Sequence, residues 1–398
     1  IRDSVCTDHG NEGILDVRYD YFTIAGEWTR ADLAANPDRT MWRYKPVMPV
    51  APDAEVPPLT VGGTPMYDAT PLASDLGIAK VWVKDEGRQP TASLKDRASA
   101  MAVVKAREVG AEVVTTASTG NAAAALSGIS ASVGQKNVIF VPKSAPEAKI
   151  AQLLAYGSTV ALVNGNYGDA FELCMLAAAE YGWYNRNTGY NPFMTEGKKT
   201  AGLEILEDLE WDAPDAIFVS VGDGSIVGGV HKAMKDALAM GWIDKAPRIY
   251  GIQSAGSDFM VQAFESGEDI LTKAPISADT VADSISADLP RDRIKAMAAV
   301  KETSGAYIRV SDGEILAALP LLARGSGVFA EPAGAAAYAG LIEAVNRGLV
   351  NPSDEVVVLS TGSGLKDVAS AMKAVSAAGT TPMVVDPNLE ALKQALNK

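Results

Sequence analysis

Hydrophobic and polar positions follow two regular patterns from about Leu72 onward. Short runs rich in β-branched residues predict buried strands at 81–83, 113–116, 138–141, 159–163, 216–220, 248–252 and 355–359. Longer stretches with a helical period predict helices at 95–110, 145–156, 167–181, 196–209, 226–240, 312–324 and 332–347. Because strands that alternate with crossover helices form parallel sheets, the pattern predicts an α/β protein with two open-sheet domains.

The first 59 residues lack this periodicity and end in the proline-rich segment 46–58. Cys6 and His9 are spaced like half of a zinc site, but no second pair of ligands accompanies them. We therefore expect a metal-free N-terminal arm that packs on the rest of the protein. His231 is the only other histidine, which leaves little material for histidine triads or multi-histidine metal sites.

Charge and cysteine content narrow the possible partners and compartments. The 35 basic and 49 acidic side chains give a net charge of -14, which argues against nucleic acid and anionic membranes as partners. No stretch reaches the roughly 20 apolar residues of a membrane span, and Ile1-Arg2-Asp3 has no signal-peptide character. Cys6 and Cys174 suggest no disulfide framework, so we expect a cytoplasmic protein.

Lys95 stands at the start of a predicted helix, shortly after the predicted strand 81–83. A lysine in the first turn of a helix is often only a solvated charge. The alternative is a lysine whose amine forms a Schiff base with an aldehyde cofactor, which requires a single lysine at a helix start inside a cleft. The neighbouring strand ends decide between the two.

Three predicted strands are followed by turns rich in glycine and small hydroxyl residues. The turns are Ala117-Ser118-Thr119-Gly120-Asn121, Val221-Gly222-Asp223-Gly224-Ser225 and Ser360-Thr361-Gly362-Ser363-Gly364. The first suits a carboxylate, although an ordinary helix cap would use the same residues. The second resembles a phosphate cradle, but its spacing does not match a dinucleotide or P-loop motif. The hydroxyls of the third could face a neutral ring nitrogen. Ligands of open α/β sheets bind at such carboxyl ends of strands.

Together these motifs resemble the pyridoxal-phosphate enzymes of the tryptophan-synthase-β fold type (fold type II), and within them the threonine synthases. The resemblance covers nearly the whole chain. It rests on Ser93-Leu94-Lys95-Asp96-Arg97, Ser118-Thr119-Gly120-Asn121, Gly222 to Ser225, Glu196-Gly197-Lys198-Lys199-Thr200 and Thr361-Gly362-Ser363-Gly364-Leu365-Lys366-Asp367. It implies a large cofactor-binding domain of residues 60–105 and 200–398, a small mobile domain of residues 106–199, and a homodimer.

The resemblance also implies a role for each motif in binding pyridoxal 5'-phosphate. Lys95 would hold the cofactor as a Schiff base and shuttle protons, and Asn121 would contact the ring hydroxyl. Thr361, or else Ser363, would face the ring nitrogen, and a hydroxyl there favours elimination and replacement over transamination. The cofactor phosphate would lie on Gly222, Asp223, Gly224 and Ser225. The substrate carboxylate would lie on Ser118, Thr119 and Gly120.

The implied reaction is that of a lyase converting O-phospho-L-homoserine and water to L-threonine and phosphate. It needs a second anion site for the substrate phosphate, for which Arg97, Lys149, Lys198 and Lys199 are candidates. The alternative is that these four residues are ordinary surface charges without a role in binding. Glu172 stands where the family commonly has an arginine, and a glutamate there would repel the substrate phosphate. Gly222-Asp223-Gly224-Ser225 replaces the family's more usual G-N-x-G-N, and the segment 282–293 also departs from the family pattern.

These departures leave two alternatives open. One is an elimination or β-replacement enzyme that acts on another amino acid, such as a serine or threonine dehydratase or an ammonia-lyase. The other is a binding protein that has kept the fold without the activity, against which the presence of Lys95, Asn121 and Thr361 argues. A basic pocket beyond Lys95 would favour the phosphorylated substrate.

Overall fold

The computed structural model describes residues 5–6, 10–145 and 147–396, with side chains placed from Ile14 onward except at Ala148. The strands are β1 (Val5–Cys6), β2 (Gly10–Ile14), β3 (Met66–Asp68), β4 (Lys80–Asp85), β5 (Val113–Ala117), β6 (Lys136–Pro142), β7 (Thr159–Val163), β8 (Tyr184–Asn185), β9 (Ala216–Ser220), β10 (Arg248–Ser254), β11 (Tyr307–Val310) and β12 (Glu355–Ser360).

Fifteen α-helices lie in the part of the chain that the structure describes. They are α1 (Tyr21–Glu27), α2 (Arg30–Ala35), α3 (Thr70–Leu76), α4 (Lys95–Glu108), α5 (Asn121–Val133), α6 (Glu147–Ala155), α7 (Tyr167–Tyr181), α8 (Phe193–Asp208), α9 (Ser225–Ala239), α10 (Phe259–Ser266), α11 (Arg293–Glu302), α12 (Asp312–Ser326), α13 (Pro332–Asn346), α14 (Val368–Ala377) and α15 (Leu389–Leu396). Four short 3₁₀ segments are Met41–Val47, Glu86–Arg88, Asp283–Ile285 and Gly364–Lys366.

The larger sheet has six strands in the order β11-β10-β9-β12-β4-β3. All neighbours are parallel except β3, which pairs antiparallel with β4 at one edge. Alternate residues of β9 enter different cores, with Ile217 and Val219 on one face and Ala216 and Phe218 on the other. Since both faces of β9 are covered, its first four residues, 216–219, are all apolar rather than alternating.

The smaller sheet has four parallel strands in the order β7-β6-β5-β8. All four lie between Val113 and Asn185, inside the stretch 106–199. The boundaries and the mobility of the predicted small domain remain predictions. The two sheets confirm the predicted α/β class.

All seven predicted strands and all seven predicted helices are present, with ends displaced by at most three residues. The sequence pattern did not indicate the short strands β1, β2, β3, β8 and β11, nor the helices α1, α2, α3, α10, α11, α14 and α15. The N-terminal arm is therefore less irregular than its sequence suggests. β3, β8 and β11 have three, two and four residues, so none is long enough for a period to show.

Helix α8 lies between α4 and α9 and is buried over most of its length. A Cβ on Gly197 would lie 2.4 Å from the carbonyl oxygen of Arg97 in α4, and one on Gly229 of α9 would lie 3.0 Å from the Cβ of Lys198. Glycine therefore allows both neighbouring helices to approach α8 closely.

A buried ion network holds α8 to α4 and to the strand that precedes it. Arg97 pairs with Glu86 at 2.7 Å and with Glu204 at 2.6 Å, and Lys84 pairs with Glu204 at 3.1 Å. Burial alone would raise the pKa of Glu204, but Arg97 and Lys84 lower that pKa to about 2. Since removing one partner leaves an uncompensated buried charge, the network ties the start of α4 to the body of the protein.

The N-terminal arm attaches through tyrosine hydroxyls. Tyr19 donates a 2.5 Å hydrogen bond to Glu196, and Tyr21 donates a 2.6 Å hydrogen bond to Asp236. Lys199 lies 4.2 Å from the centroid of the Tyr19 ring. His9 and the side chain of Cys6 lie outside the described residues, among which no group of three or more His, Cys, Asp or Glu could hold a metal ion. No described helix combines the length and apolarity needed to cross a membrane.

Candidate active site

Three adjacent strands of the larger sheet end at one place. The order β9-β12-β4 brings together the segments that follow these strands, which contain Ser225, Thr361 and Lys95 respectively. Leu94 donates its backbone N–H to the carbonyl of Thr361 at 3.0 Å, and Ser363 donates to the carbonyl of Ala92 at 3.0 Å. The lysine-bearing segment and the third glycine-hydroxyl turn are thus hydrogen-bonded to each other.

Lys95 forms the first residue of α4 and lines a small cavity of about 50 Å³. Burial lowers the pKa of its amine below the usual value, Glu331 opposes that shift, and Arg186 adds to it. Ala92, three residues earlier, has a φ of 64°, which is uncommon for a residue with a side chain. A lowered pKa increases the fraction of free amine, the form that reacts with an aldehyde.

The turn after β9 lines the same small cavity. Gly224 has a φ of 91°, and α9 begins at the next residue without a side-chain cap. A Cβ on Gly222 would lie 2.8 Å from the Cα of Ile285, and one on Gly224 would lie 2.6 Å from the Cβ of Ala296. Gly224, Ser225 and Ile226 line the cavity, so the unpaired backbone N–H groups of this helix start are next to it, as an anion site requires.

Asp223 turns its carboxylate toward the segment 282–293. Its Oδ1 accepts the backbone N–H of Arg291 at 3.4 Å, and its carbonyl accepts the N–H of Asp292 at 2.8 Å. Burial raises the pKa of the Asp223 carboxyl above the usual value. The segment 282–293, which departs from the family pattern, thus supports the loop of the predicted phosphate cradle.

The turn after β5 faces a second, larger cavity of about 370 Å³, which Thr119, Gly120 and Asn121 line together with Glu331. Gly120 precedes α5 and provides no side-chain cap, so backbone donors remain at this helix start. Ser118 accepts the N–H of Gly120 at 3.2 Å and shapes the turn. Ser284 lines both cavities, so the two adjoin.

Thr361 and Ser363 differ in how their hydroxyls are placed. Thr361 is buried, and its backbone carbonyl is the acceptor for Leu94. Ser363 uses its hydroxyl to accept the N–H of Leu365, which caps the 3₁₀ segment Gly364–Lys366. The placement favours Thr361 over Ser363 as the group facing a ring nitrogen, and that role remains a prediction.

The four basic residues proposed for a second anion site differ in whether they already pair with a carboxylate. Arg97 and Lys199 each pair with two buried carboxylates, and Lys149 pairs with Asp283 at 2.5 Å. Lys198 has no ion pair with any described carboxylate, and it donates to the hydroxyls of Ser225 and Thr188. Lys149 lines the larger cavity, and its partner Asp283 is exposed, so Lys198 and Lys149 are the two of the four that can meet an anion. Glu172 is exposed and lines neither cavity.

Two residues whose charges affect Lys95 were not predicted from the sequence: Glu331 lines the larger cavity, whereas Arg186 lines neither cavity. Glu331, which precedes α13, accepts the side-chain N–H of Asn121 at 2.7 Å, and burial raises the pKa of its carboxyl. Arg186 follows β8 and is 1% exposed, and its Nη2 has no hydrogen-bond partner among the described residues. Its Nε donates to Ser99 at 3.2 Å. Burial lowers the pKa of Arg186 to about 10. The two-residue strand β8 before it is too short to be predicted, so the sequence held no clear signal for Arg186.

The residues present fit a phosphorylated aldehyde cofactor. A lysine with a lowered pKa and an uncapped helix start lie on one cavity, and a buried lysine without a described carboxylate partner completes its wall. These are the groups that would hold an aldehyde carbon and a phosphate dianion.

Comparisons with known proteins agree with this geometry. A family model described as "Pyridoxal-phosphate dependent enzyme" matches residues 58–362. The threonine synthase of Methanocaldococcus jannaschii is 36% identical over 389 residues, which cover 97% of this chain and 94% of that protein. The threonine synthase of Methanosarcina acetivorans is 36% identical, with coverage of 97% and 93%. The structure of threonine deaminase isoform 2 from Solanum lycopersicum superposes with a TM-score of 0.69 at 21% identity, covering 92% of this chain and 95% of that one.

Proposed function

The chain belongs to the pyridoxal-phosphate dependent enzymes and, within them, to the family of the threonine synthases, and from this premise we propose that it converts O-phospho-L-homoserine and water to L-threonine and phosphate. The observation that carries the proposal is the shared cavity, in which the amine of Lys95 lies beside the anion cradle of α9. The identity to threonine synthases over nearly the whole chain selects this substrate within the family.

Bound pyridoxal phosphate would supply an electron-withdrawing ring that makes the protons next to the substrate amine acidic. Lys95 is the residue that would accept and return these protons, because burial lowers the pKa of its amine and so favours the free base. Glu331 favours the protonated form of the same amine. Burial and Glu331 thus act on this amine in opposite directions.

The start of α5 would orient the substrate by its carboxylate. Thr119, Gly120 and Asn121 line the larger cavity, and the positive end of a helix dipole favours a carboxylate there. The hydroxyl of Thr361 would leave the ring nitrogen uncharged, which favours elimination and replacement. Water enters the reaction as a substrate, so the larger cavity must admit it.

Arg186 is our candidate for the substrate's phosphate group. Its guanidinium is buried near Lys95, and the pKa of Lys95 responds to it. No described carboxylate forms an ion pair with it, whereas buried arginines ordinarily have an anionic partner. A phosphate dianion would supply the missing partner and compensate for the absence of an arginine at position 172.

We further propose that the protein works in the cytoplasm as a homodimer. Cys174 is a free, buried thiol, which is consistent with a reducing compartment. Helices α12 and α14 contact each other and expose Leu321, Val368 and Met372, apolar side chains that a second copy could cover. Light scattering would detect a particle of twice 41.6 kDa if the dimer forms and of 41.6 kDa if it does not.

The proposed activity is tested by giving the cofactor-loaded protein O-phospho-L-homoserine and assaying inorganic phosphate and threonine. We expect equal amounts of both. Parallel reactions with L-serine and L-threonine test for 2-oxo acids, the products of a dehydratase or ammonia-lyase. Formation of 2-oxo acids without phosphate release from O-phospho-L-homoserine would replace the proposed activity by one of these.

A further inference from the structure

Lys198 lies in the middle of α8 with 1% of its surface exposed. Its Nζ donates a 2.6 Å hydrogen bond to the hydroxyl of Ser225 and a 3.2 Å hydrogen bond to the hydroxyl of Thr188. No ion pair joins it to a carboxylate in the described part of the chain, although Asp223 and Asp292 lie at longer range. A buried ammonium group with only hydroxyl partners is costly unless an anion joins it.

The charges around Lys198 increase this need. Burial lowers the pKa of Lys198 well below the usual value, and the neighbouring cations Lys95 and Arg186 lower that pKa further. By contrast, the next residue, Lys199, pairs with Glu196 at 2.5 Å and Asp236 at 2.7 Å. Two adjacent buried lysines of one helix therefore have opposite environments, one already neutralised and one not.

The position of Lys198 identifies which anion it would meet. Ser225 is the first residue of α9, and its hydroxyl is the hydrogen-bond partner of the lysine. Lys198, Thr188 and Ser225 line the small cavity together with Gly222, Asp223 and Gly224. The small cavity, at about 50 Å³, is much smaller than the adjoining cavity of about 370 Å³, so we assign a single anionic group to the small cavity and the amino-acid substrate to the larger one.

The backbone fixes this position. Gly197 and Gly229 let α8 approach α4 and α9 so closely that a Cβ at either glycine would collide with or crowd the facing helix. The Cβ of Lys198 itself is the atom that Gly229 faces. A side chain held in this way has little freedom to move its charge elsewhere.

We propose that Lys198 binds the phosphate group of the cofactor, in a site completed by the hydroxyls of Ser225 and Thr188 and the backbone N–H groups at the start of α9. The backbone cradle predicted from the sequence thereby gains a charged partner from a different helix. In this assignment Lys198 serves the cofactor, and Arg186, which also has no ion pair with a described carboxylate, is left for the substrate. The role of Lys198 requires only the cofactor, so it stands whether or not O-phospho-L-homoserine is the substrate.

The test compares two aldehydes that differ only in the phosphate group. Cofactor-free protein is titrated with pyridoxal phosphate and with pyridoxal, and the dissociation constants are measured by absorbance. If Lys198 makes a charge-assisted hydrogen bond to the phosphate, Lys198→Gln should weaken the binding of pyridoxal phosphate by about 10–100-fold. The dissociation constant of pyridoxal should change by no more than about threefold. Lys198→Arg, which keeps the charge, should recover at least part of the preference for the phosphorylated aldehyde.

Arg186→Gln is the matched control, because it also removes one buried cation near Lys95 but has no contact with Ser225. It should leave the preference for pyridoxal phosphate over pyridoxal unchanged within about threefold. Phosphorus NMR of the loaded protein gives a readout that does not depend on turnover. In the native protein the bound phosphate should remain dianionic from about pH 6 to 9, and in Lys198→Gln it should titrate within that range.

Three results would overturn the proposal. Equal weakening of the binding of both aldehydes would mean that Lys198 only supports the fold. Circular dichroism of the variant would then show whether secondary structure has been lost. Unchanged binding of both would remove Lys198 from the site. Unchanged cofactor binding with weaker binding of O-phospho-L-homoserine would assign the lysine to the substrate instead.

Discussion

The side-chain amide of Asn121 donates a 2.7 Å hydrogen bond to the carboxylate of Glu331. Asn121 begins α5, which follows β5 of the smaller sheet, and Glu331 precedes α13, which packs on the larger sheet. The bond therefore joins the two sheets directly beside Lys95, whose pKa Glu331 raises. The predicted cofactor contact of Asn121 and the proton balance of Lys95 thus depend on one another.

Replacing Glu331 by Gln should lower the pKa of the Lys95 amine, because the variant loses the carboxylate that stabilises the protonated form. The rate at which cofactor-free protein forms its imine with pyridoxal phosphate should then begin to rise at a lower pH than in the native protein. Glu331→Asp, which keeps the charge, is the control. An unchanged rate profile in Glu331→Gln would show that the two groups are not coupled.

Replacing Lys95 by Ala should abolish turnover and the visible absorbance of lysine-bound cofactor, since the amine that forms the imine is gone. Borohydride reduction should attach the cofactor covalently to the native protein and not to the variant, as measured by mass spectrometry. Lys136→Ala, at an exposed lysine paired with Glu112, is the control. Normal turnover by Lys95→Ala would exclude this lysine from catalysis.

Replacing Arg186 by Gln should weaken binding of O-phospho-L-homoserine by about 10–100-fold, because a charge-assisted contact with the phosphate is lost. L-Homoserine, which lacks the phosphate, should bind the variant and the native protein equally within about threefold. The spectral change of the loaded protein on adding each ligand measures both affinities. Equal losses for both ligands would indicate a general disturbance of the site rather than a phosphate contact.

Replacing Arg97 by Met should cost about 3–5 kcal/mol of the free energy of unfolding, because Glu86 and Glu204 remain buried without their partner. Arg107→Met provides a matched comparison, because Arg107 pairs with the largely exposed Glu55. This variant should lose only about 0–1 kcal/mol of the free energy of unfolding. Urea unfolding monitored by circular dichroism measures both values. Similar small losses in the two variants would show that the buried network contributes little.

His231 should make the protein sensitive to acid. Burial lowers its pKa to about 4, Lys235 and Lys232 act in the same direction, and Asp16 opposes them. Glu302 lies 3.2 Å away but is largely exposed to water, which screens its charge. Because the unfolded chain takes up a proton near pH 6.5 and the folded protein only near pH 4, stability is present above pH 6.5 and is lost as the pH falls toward 4.

The corresponding variant is His231→Gln, which cannot take up this proton. Between pH 8 and pH 5 the native protein should lose about 2 kcal/mol more of its free energy of unfolding than the variant does. Urea titrations at the two pH values give the difference. Parallel losses in the native protein and the variant would contradict a lowered pKa at this position.

Local patterns predicted the parts of the fold that depend on local physics. The run 216–219 is continuously apolar because both faces of β9 are buried, and the turn after β9 contains Gly222 and Gly224 because the backbone passes close to Ile285 and Ala296. Both signals lie within ten residues and need no knowledge of the rest of the fold. The same is true of Lys95 at its helix start.

Charge pairing could not be predicted in this way. Arg97 and Glu204 are 107 residues apart, and whether Lys198 or Lys199 is neutralised depends on Glu196 and Asp236 rather than on the lysines themselves. From the sequence alone, the four basic residues are equal candidates for binding an anion. Only their tertiary contacts show which of them already have a carboxylate partner. Arg186 and Glu331 were missed for the same reason, since their importance comes from neighbours distant in sequence.

The measurement that tests the central claim most directly is the reaction of the loaded protein with O-phospho-L-homoserine in water enriched in oxygen-18. Elimination of phosphate followed by addition of water breaks the carbon–oxygen bond, so threonine should carry one heavy oxygen on its hydroxyl and the released phosphate none. Label in the phosphate, with homoserine as the other product, would mean simple hydrolysis of the phosphate ester and would contradict the role given to Lys95.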